Sequence, residues 1–188
     1  YSRSGLEKKL KEEYKRIDTI SIRLGNLQTL NISITERSLN ALWCDELPDS
    51  EIPKHCYFLD NNGLIFAESP DFSGDAYFKF YGLVSTSTTP IGINYVDSEK
   101  QFKDLEEFIH RAQDLSLHPI YLLASGEGQF TVGLSGGGYI YIDTKNPLIK
   151  TAENLKALLE TISTTTTFSV QKMDYIDSEF NPRYICKC

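Results

Sequence analysis

Gly133-Leu134-Ser135-Gly136-Gly137 spells G-x-S-x-G, the pattern of a serine hydrolase elbow. That chemistry needs a strand before the serine, a helix after it, and an acid and a histidine further along the chain. Here YIYID follows, which reads as another strand, and the last histidine is His118, upstream of Ser135. The glycines therefore read as a hairpin turn. No Lys-Ser/Thr follows them and no helix begins there, so neither a phosphate-binding loop nor a dinucleotide fingerprint fits. Asp60-Asn61-Asn62-Gly63 resembles the start of a calcium loop, but the glutamate that closes such a loop is missing at its far end. His55, His110 and His118 are too scattered for a ligand set, and no spacing among the acids marks out a general acid. The sequence predicts no catalytic residue, no metal and no cofactor.

Four cysteines form two pairs. Cys44 and Cys56 flank the polar insert DELPDSEIPKH, where one strand should stop and the next resume. A disulfide closing that loop is geometrically reasonable and would imply an oxidising compartment. Two buried thiols and a zinc site are the rival interpretations, the zinc site weakened because neither pair is CxxC and only His55 lies nearby. Cys186 and Cys188, two apart on one strand face, read as free thiols.

The chain has 188 residues and a formal charge of −7, with acids and bases interspersed. The size suits one medium domain or two small ones with a packed core. Nucleic acid is excluded as a partner, because a phosphate-binding face needs clustered Lys and Arg. The basic residues Lys8, Lys9, Lys11, Lys15 and Arg16 alternate with Glu7, Glu12 and Glu13, as on a solvated helix face. No apolar run reaches the roughly 18–20 residues that cross a bilayer. Beginning at Tyr1 rather than Met, the sequence reads as a piece of a longer protein.

The elements follow from periodicity. Leu6, Leu10 and Tyr14 recur within a helix over Leu6–Arg16, with Ser4 placed to cap it. Ile17–Leu24 alternates as a strand, with Gly25-Asn26 as the turn, and Leu30, Ile32 and Ile34 alternate as a half-buried strand. CYFLD and LIFA flank Asn62-Gly63 as strand, turn, strand. A strand is expected over Ala76–Val84 and a helix over Asp97–Asp114, with Phe102, Leu105, Phe108, Ile109, Ala112 and Leu115 as its stripe, Ser98 and Gln101 at capping-box spacing, and His110 on the surface. Strands are expected over His118–Ala124, Gln129–Leu134 and Tyr139–Asp143. A helix over Thr151–Ile162 follows, with Thr151 placed to cap it and Thr164–Thr167 breaking it, and then two strands over Phe168–Ile176 and Arg183–Cys186. Without regular βα alternation this order predicts an α+β fold with mostly antiparallel sheets.

The chain closes on an alternating strand, Arg183-Tyr184-Ile185-Cys186, preceded by Ser178-Glu179-Phe180-Asn181. A terminal strand that leaves its edge unpaired accepts a partner strand, and Phe180 would be an exposed anchor beside it. The competing interpretation makes this strand sheet interior and Phe180 core.

Three stretches, TLNISITER with SLNALW, CYFLDNNGLIFAES, and MDYIDSEFNPRYICKC, together with the helix TAENLKALLETI, give the chain a resemblance to the extracytoplasmic region of the FtsQ/DivIB family of bacterial cell-division proteins. The resemblance implies a partial POTRA-like subdomain over 1–43, lacking its first strand and helix, and a β domain over 44–188. The Cys44/Cys56 insert is not general to that family. The implied function is a non-enzymatic scaffold of the division machinery, membrane-anchored by a single span upstream of Tyr1, with this region outside the cytoplasm. Its partners would be division proteins of the FtsB/FtsL type, bound by strand addition at Ser178, Glu179, Phe180, Asn181, Arg183, Tyr184, Ile185 and Cys186. The alternative class is another POTRA-bearing or secreted protein-binding module, such as an outer-membrane assembly or transport accessory.

Overall fold

The computed structural model describes residues 2–26, 28–45, 55–72, 76–84, 89–165, 173–177 and 183–186. The first helix, α1 (Arg3–Glu13), begins before the expected position because Ser2, not Ser4, caps it: Ser2 Oγ accepts the Gly5 N–H at 3.1 Å. No residue of α1 is buried, and Tyr14, expected on its apolar stripe, ends the helix exposed. Then β1 (Ile17–Asn26) and β2 (Thr29–Glu36) form an antiparallel two-stranded sheet that pairs Ile20 with Ile34, Ile22 with Ile32 and Leu24 with Leu30. Gly25 and Asn26, expected to turn, continue β1; Asn26 Oδ1 instead accepts the Gln28 N–H at 2.9 Å. The alternation in β2 is present but the half-burial is not. Leu24, Leu30, Ile32 and Ile34 are 51–60% exposed.

All other described strands form one nine-stranded sheet, in the order β11-β10-β9-β8-β7-β6-β3-β4-β5. These are β3 (Ala41–Cys44), β4 (Cys56–Leu59), β5 (Ile65–Glu68), β6 (Lys79–Tyr81), β7 (Pro119–Gly126), β8 (Gln129–Leu134), β9 (Tyr139–Asp143), β10 (Met173–Asp177) and β11 (Arg183–Cys186). Three pairings are parallel, β3 with β6, β6 with β7 and β9 with β10, and the other five are antiparallel. The fold is α+β with a mostly antiparallel sheet, as expected. The 43/44 boundary expected between subdomains falls inside β3, a central strand of the large sheet; the passage between the two sheets runs through residues 37–40.

Helix α2 (Glu99–Asp114) lies where the periodicity puts it, with Ser98 Oγ accepting the Gln101 N–H at 3.2 Å. Phe102, Leu105, Phe108, Ile109 and Ala112 are buried among Trp43, Leu59, Ile65, Phe80, Leu122, Val132 and Ile140 of the sheet. The Phe80 ring stands 5.2 Å from Phe102 and 5.1 Å from Tyr95, in tilted and edge arrangements that aromatic pairs prefer. Helix α3 (Leu148–Thr165) adds Leu148, Ala152 and Leu155 to the same core. Thr151 does not cap it; it lies within the first turn, its hydroxyl donating to the Pro147 carbonyl at 3.4 Å. The helix also continues to Thr165, through the start of the threonine run expected to end it. The strand expected over Ala76–Val84 is confined to β6, since Gly82 and Leu83 take positive φ (79° and 43°) and leave the ladder. The strand expected from Phe168 is described only over Met173–Asp177; residues 168–172 lie outside the described residues.

Candidate functional site: sheet edges and the seam

Ser135 lies in the turn between β8 and β9, with no helix after it. Its N–H donates to the His118 carbonyl at 3.0 Å, and no side-chain hydrogen bond joins Ser135 to His118. Each motif glycine has a structural cause. A Cβ on Gly133 would sit 2.2 Å from Cε1 of Tyr121, whose ring packs on that backbone, and Gly137 holds φ +83° in the turn. The motif spells a hairpin under a tyrosine.

Asp60 is likewise occupied by the fold. Its Oδ1 accepts the N–H groups of Asn62 and Leu64, each at 2.9 Å, while Oδ2 meets Arg37 Nη1 at 2.5 Å. Asp60 is 6% exposed and Arg37 15%. Arg37 also donates from Nε to the Lys15 carbonyl at 2.9 Å, and its backbone N–H reaches the Arg16 carbonyl at 2.8 Å. One guanidinium thus ties the start of β1, the end of β2 and the β4–β5 turn together, in the seam between the two sheets. Gly63, at φ +78°, completes that turn. Sequence reasoning missed Arg37, since an ion pair between residues 37 and 60 leaves no periodic trace.

Cys44 and Cys56 are disulfide-bonded, directly opposite each other in the β3–β4 ladder with Cα atoms 4.1 Å apart. The base of the insert is closed further by His55 N–H to Asp45 Oδ1 at 2.9 Å and Asp45 N–H to the His55 carbonyl at 3.1 Å. No group of His, Cys, Asp or Glu suited to a metal occurs among the described residues.

Beside the seam lies a cavity of about 110 Å³, lined by Asn40, Ala41, Phe78, Phe80, Glu106, Ile109, His110 and Gln113. It is smaller than the roughly 300–1,000 Å³ of ordinary small-molecule pockets, and no hydroxyl, thiol or amine lines it. Burial pushes the Glu106 carboxyl above the usual carboxylate range, opposed by the hydrogen bond it accepts from Asn40 Nδ2. His110 is exposed, as expected, and its Nδ1 pairs with Gln113 Oε1 at 3.2 Å.

The large sheet has two outer edges. At one end of the large sheet the outer side of β5 is hydrogen-bonded at Ile65: its N–H reaches the Ile93 carbonyl at 2.9 Å, and Gly92 N–H the Ile65 carbonyl at 2.7 Å. At the other end stands β11, with Asp177 opposite Arg183, Ile176 opposite Tyr184 and Tyr175 opposite Ile185 across β10. Among the described residues no strand lies beyond β11. Of the expected partner-binding residues, Arg183, Tyr184, Ile185 and Cys186 form this strand, while Ser178, Glu179, Phe180 and Asn181 lie outside the described residues, as does Cys188. No described helix is long and apolar enough to cross a membrane.

The described residues form an α+β fold whose large sheet ends at β11. In comparisons with known proteins, no family model matches the chain and no curated protein matches it in sequence.

Proposed function

We propose that this chain is a protein-binding scaffold of the FtsQ/DivIB kind, acting outside the cytoplasm in bacterial division and capturing a partner segment at β11. The observation that carries the proposal is the position of β11 at the end of the nine-stranded sheet, with no strand beyond it among the described residues. An edge strand offers a row of N–H and C=O groups to an extended segment, so backbone pairing supplies affinity and flanking side chains supply selectivity. The resemblance in TLNISITER, CYFLDNNGLIFAES and MDYIDSEFNPRYICKC supports the same assignment, and the Cys44–Cys56 disulfide suits an oxidising compartment. Tyr184 and Phe180 would be the side-chain anchors, and the parent protein would be membrane-anchored upstream of Tyr1.

The test is binding of fluorescent peptides from FtsB- and FtsL-type division proteins, with and without Phe180→Ala. Saturable binding by the unmodified chain, weakened about 10- to 100-fold by the substitution, is the expected result for an aromatic anchor. No binding by the unmodified chain removes the division-scaffold proposal.

A further inference from the structure

The small sheet treats its two edges differently. On the outer side of β1, Glu7 Oε1 of α1 accepts the Ile22 N–H at 2.7 Å, so the helix covers that edge. Ile22 therefore points its N–H away from β2, and its partner Ile32 must do the same on the far side. By the alternation of an antiparallel ladder, Leu30 and Ile34 also present their backbone groups outward. Among the described residues no strand takes them up. The devices that usually protect an edge are missing from Leu30 to Thr35: there is no charge and no proline, and the register with β1 is unbroken.

That segment is also nearly palindromic in chemistry. Thr29-Leu30-Asn31-Ile32-Ser33-Ile34-Thr35, read from either end, runs polar, apolar, polar, apolar, polar, apolar, polar. We propose that β2 pairs antiparallel with β2 of a second copy, on a two-fold axis through Ile32. In this register Leu30 faces Ile34 of the second copy, Asn31 faces Ser33, and Thr29 faces Thr35. Every apolar side chain meets an apolar one on the same face, and Glu36 meets the neutral Gln28. The three outward-facing positions give about six backbone hydrogen bonds, two per bonded pair. Such an isologous contact is what a self-complementary patch produces, and no like charges oppose each other across it. One strand pair buries less than the roughly 1,200 Å² of stable complexes, so the association is reversible and appears at high concentration. It is independent of what binds β11.

Sedimentation velocity from roughly 10 µM to roughly 1 mM reads the equilibrium. The expected result is a rise toward the dimer, with Ile32→Lys, a change at an exposed side chain, weakening association at least about 10-fold by placing like charges on the axis. Mild oxidation gives a second readout that does not depend on affinity. Across a bonded antiparallel pair the Cα atoms lie about 5.5 Å apart, within disulfide reach, so Ile32→Cys should cross-link to a dimer. Ile34→Cys faces Leu30 instead and should not, and Cys186 and Cys188 are common to both variants. A chain that stays monomeric to the highest concentration, or two cysteine variants that cross-link equally, overturns the proposal and leaves β2 to a different chain or another part of the parent protein.

Discussion

Removing the Asp60 carboxylate should be the most costly single change in the seam. Asp60→Ala takes away the 2.5 Å partner of Arg37, whose remaining acid is the half-exposed Asp18 at 3.6 Å. It also deprives the Asn62 and Leu64 N–H groups of their acceptor. Deleting one member of a buried pair costs about 3–5 kcal/mol, most of it from the charge left behind. At roughly 2–4 °C per kcal/mol for a chain of this size, Tm should fall by roughly 6–20 °C. Asp60→Asn retains an acceptor for the turn and should cost about 2–3 kcal/mol, the value of a charge-assisted bond. Combining it with Arg37→Met removes both charges, and the double variant should lie within about 1–2 kcal/mol of the parent. Urea titration followed by Trp43 fluorescence suits this cycle: Trp43 is the sole tryptophan, buried, with its indole N–H on the Gly82 carbonyl at 3.0 Å. A cost below about 1 kcal/mol for Asp60→Ala, or single costs that simply add in the double variant, would refute the coupling inferred from burial.

Two further outcomes follow from the sites described. The folded-state pKa of Glu106 is raised by burial, so its contribution to stability is fully present below the ordinary glutamate range and is lost as pH rises through the elevated value. The stability difference between the parent chain and Glu106→Gln should therefore move against the parent as pH rises above the ordinary glutamate range; parallel curves from urea titrations at each pH would count against the buried carboxyl. The Cys44–Cys56 bond closes a short loop with a sequence separation of 12. Paired Cys→Ala replacement should lower stability by about 2–3 kcal/mol, and equal urea midpoints for the two chains would show that the staple does not act on the folding equilibrium.

Elements whose burial is set by their own periodicity were legible in the sequence. The stripe of α2 and its Ser98 cap name both the helix and the face that meets the sheet. The bounds of β8, β9 and β11 also match the alternation read from the residues. The disulfide was one of three open readings, and its position opposite in the β3–β4 ladder is what the loop boundaries suggested. What failed depended on partners distant in the chain. Leu30, Ile32 and Ile34 have the pattern of a buried face, yet pattern cannot say whether anything covers it. The seam was illegible for a similar reason: Arg37 sits in a polar stretch with no period, and only the tertiary fold brings it to Asp60. Gly133 falls in the strand expected over Gln129–Leu134, but the reason for a glycine there, clearance for the Tyr121 ring, comes from a strand distant in sequence.

The four outer edges of the two sheets are finished in different ways, and the difference bears on function. Unpaired backbone at an edge is an invitation to association, so a chain covers the edges it does not use. Glu7 occupies the edge of β1 and residues 92 and 93 occupy that of β5. The edges of β2 and β11 have no strand outside them among the described residues. Their chemistry then separates their occupants. The β2 segment carries no charge and is symmetric about Ile32, so it discriminates poorly among partners but suits its own copy. β11 opens on Arg183 and pairs with a strand ending at Asp177, an asymmetric pattern consistent with the different partner chain proposed above. A disulfide and a buried ion pair lie on the path between these edges, at Cys44–Cys56 and Arg37–Asp60. In the scaffold proposed above these two bonds would limit movement between the edges, since flexibility there would lower the effective concentration of the second contact once the first has formed.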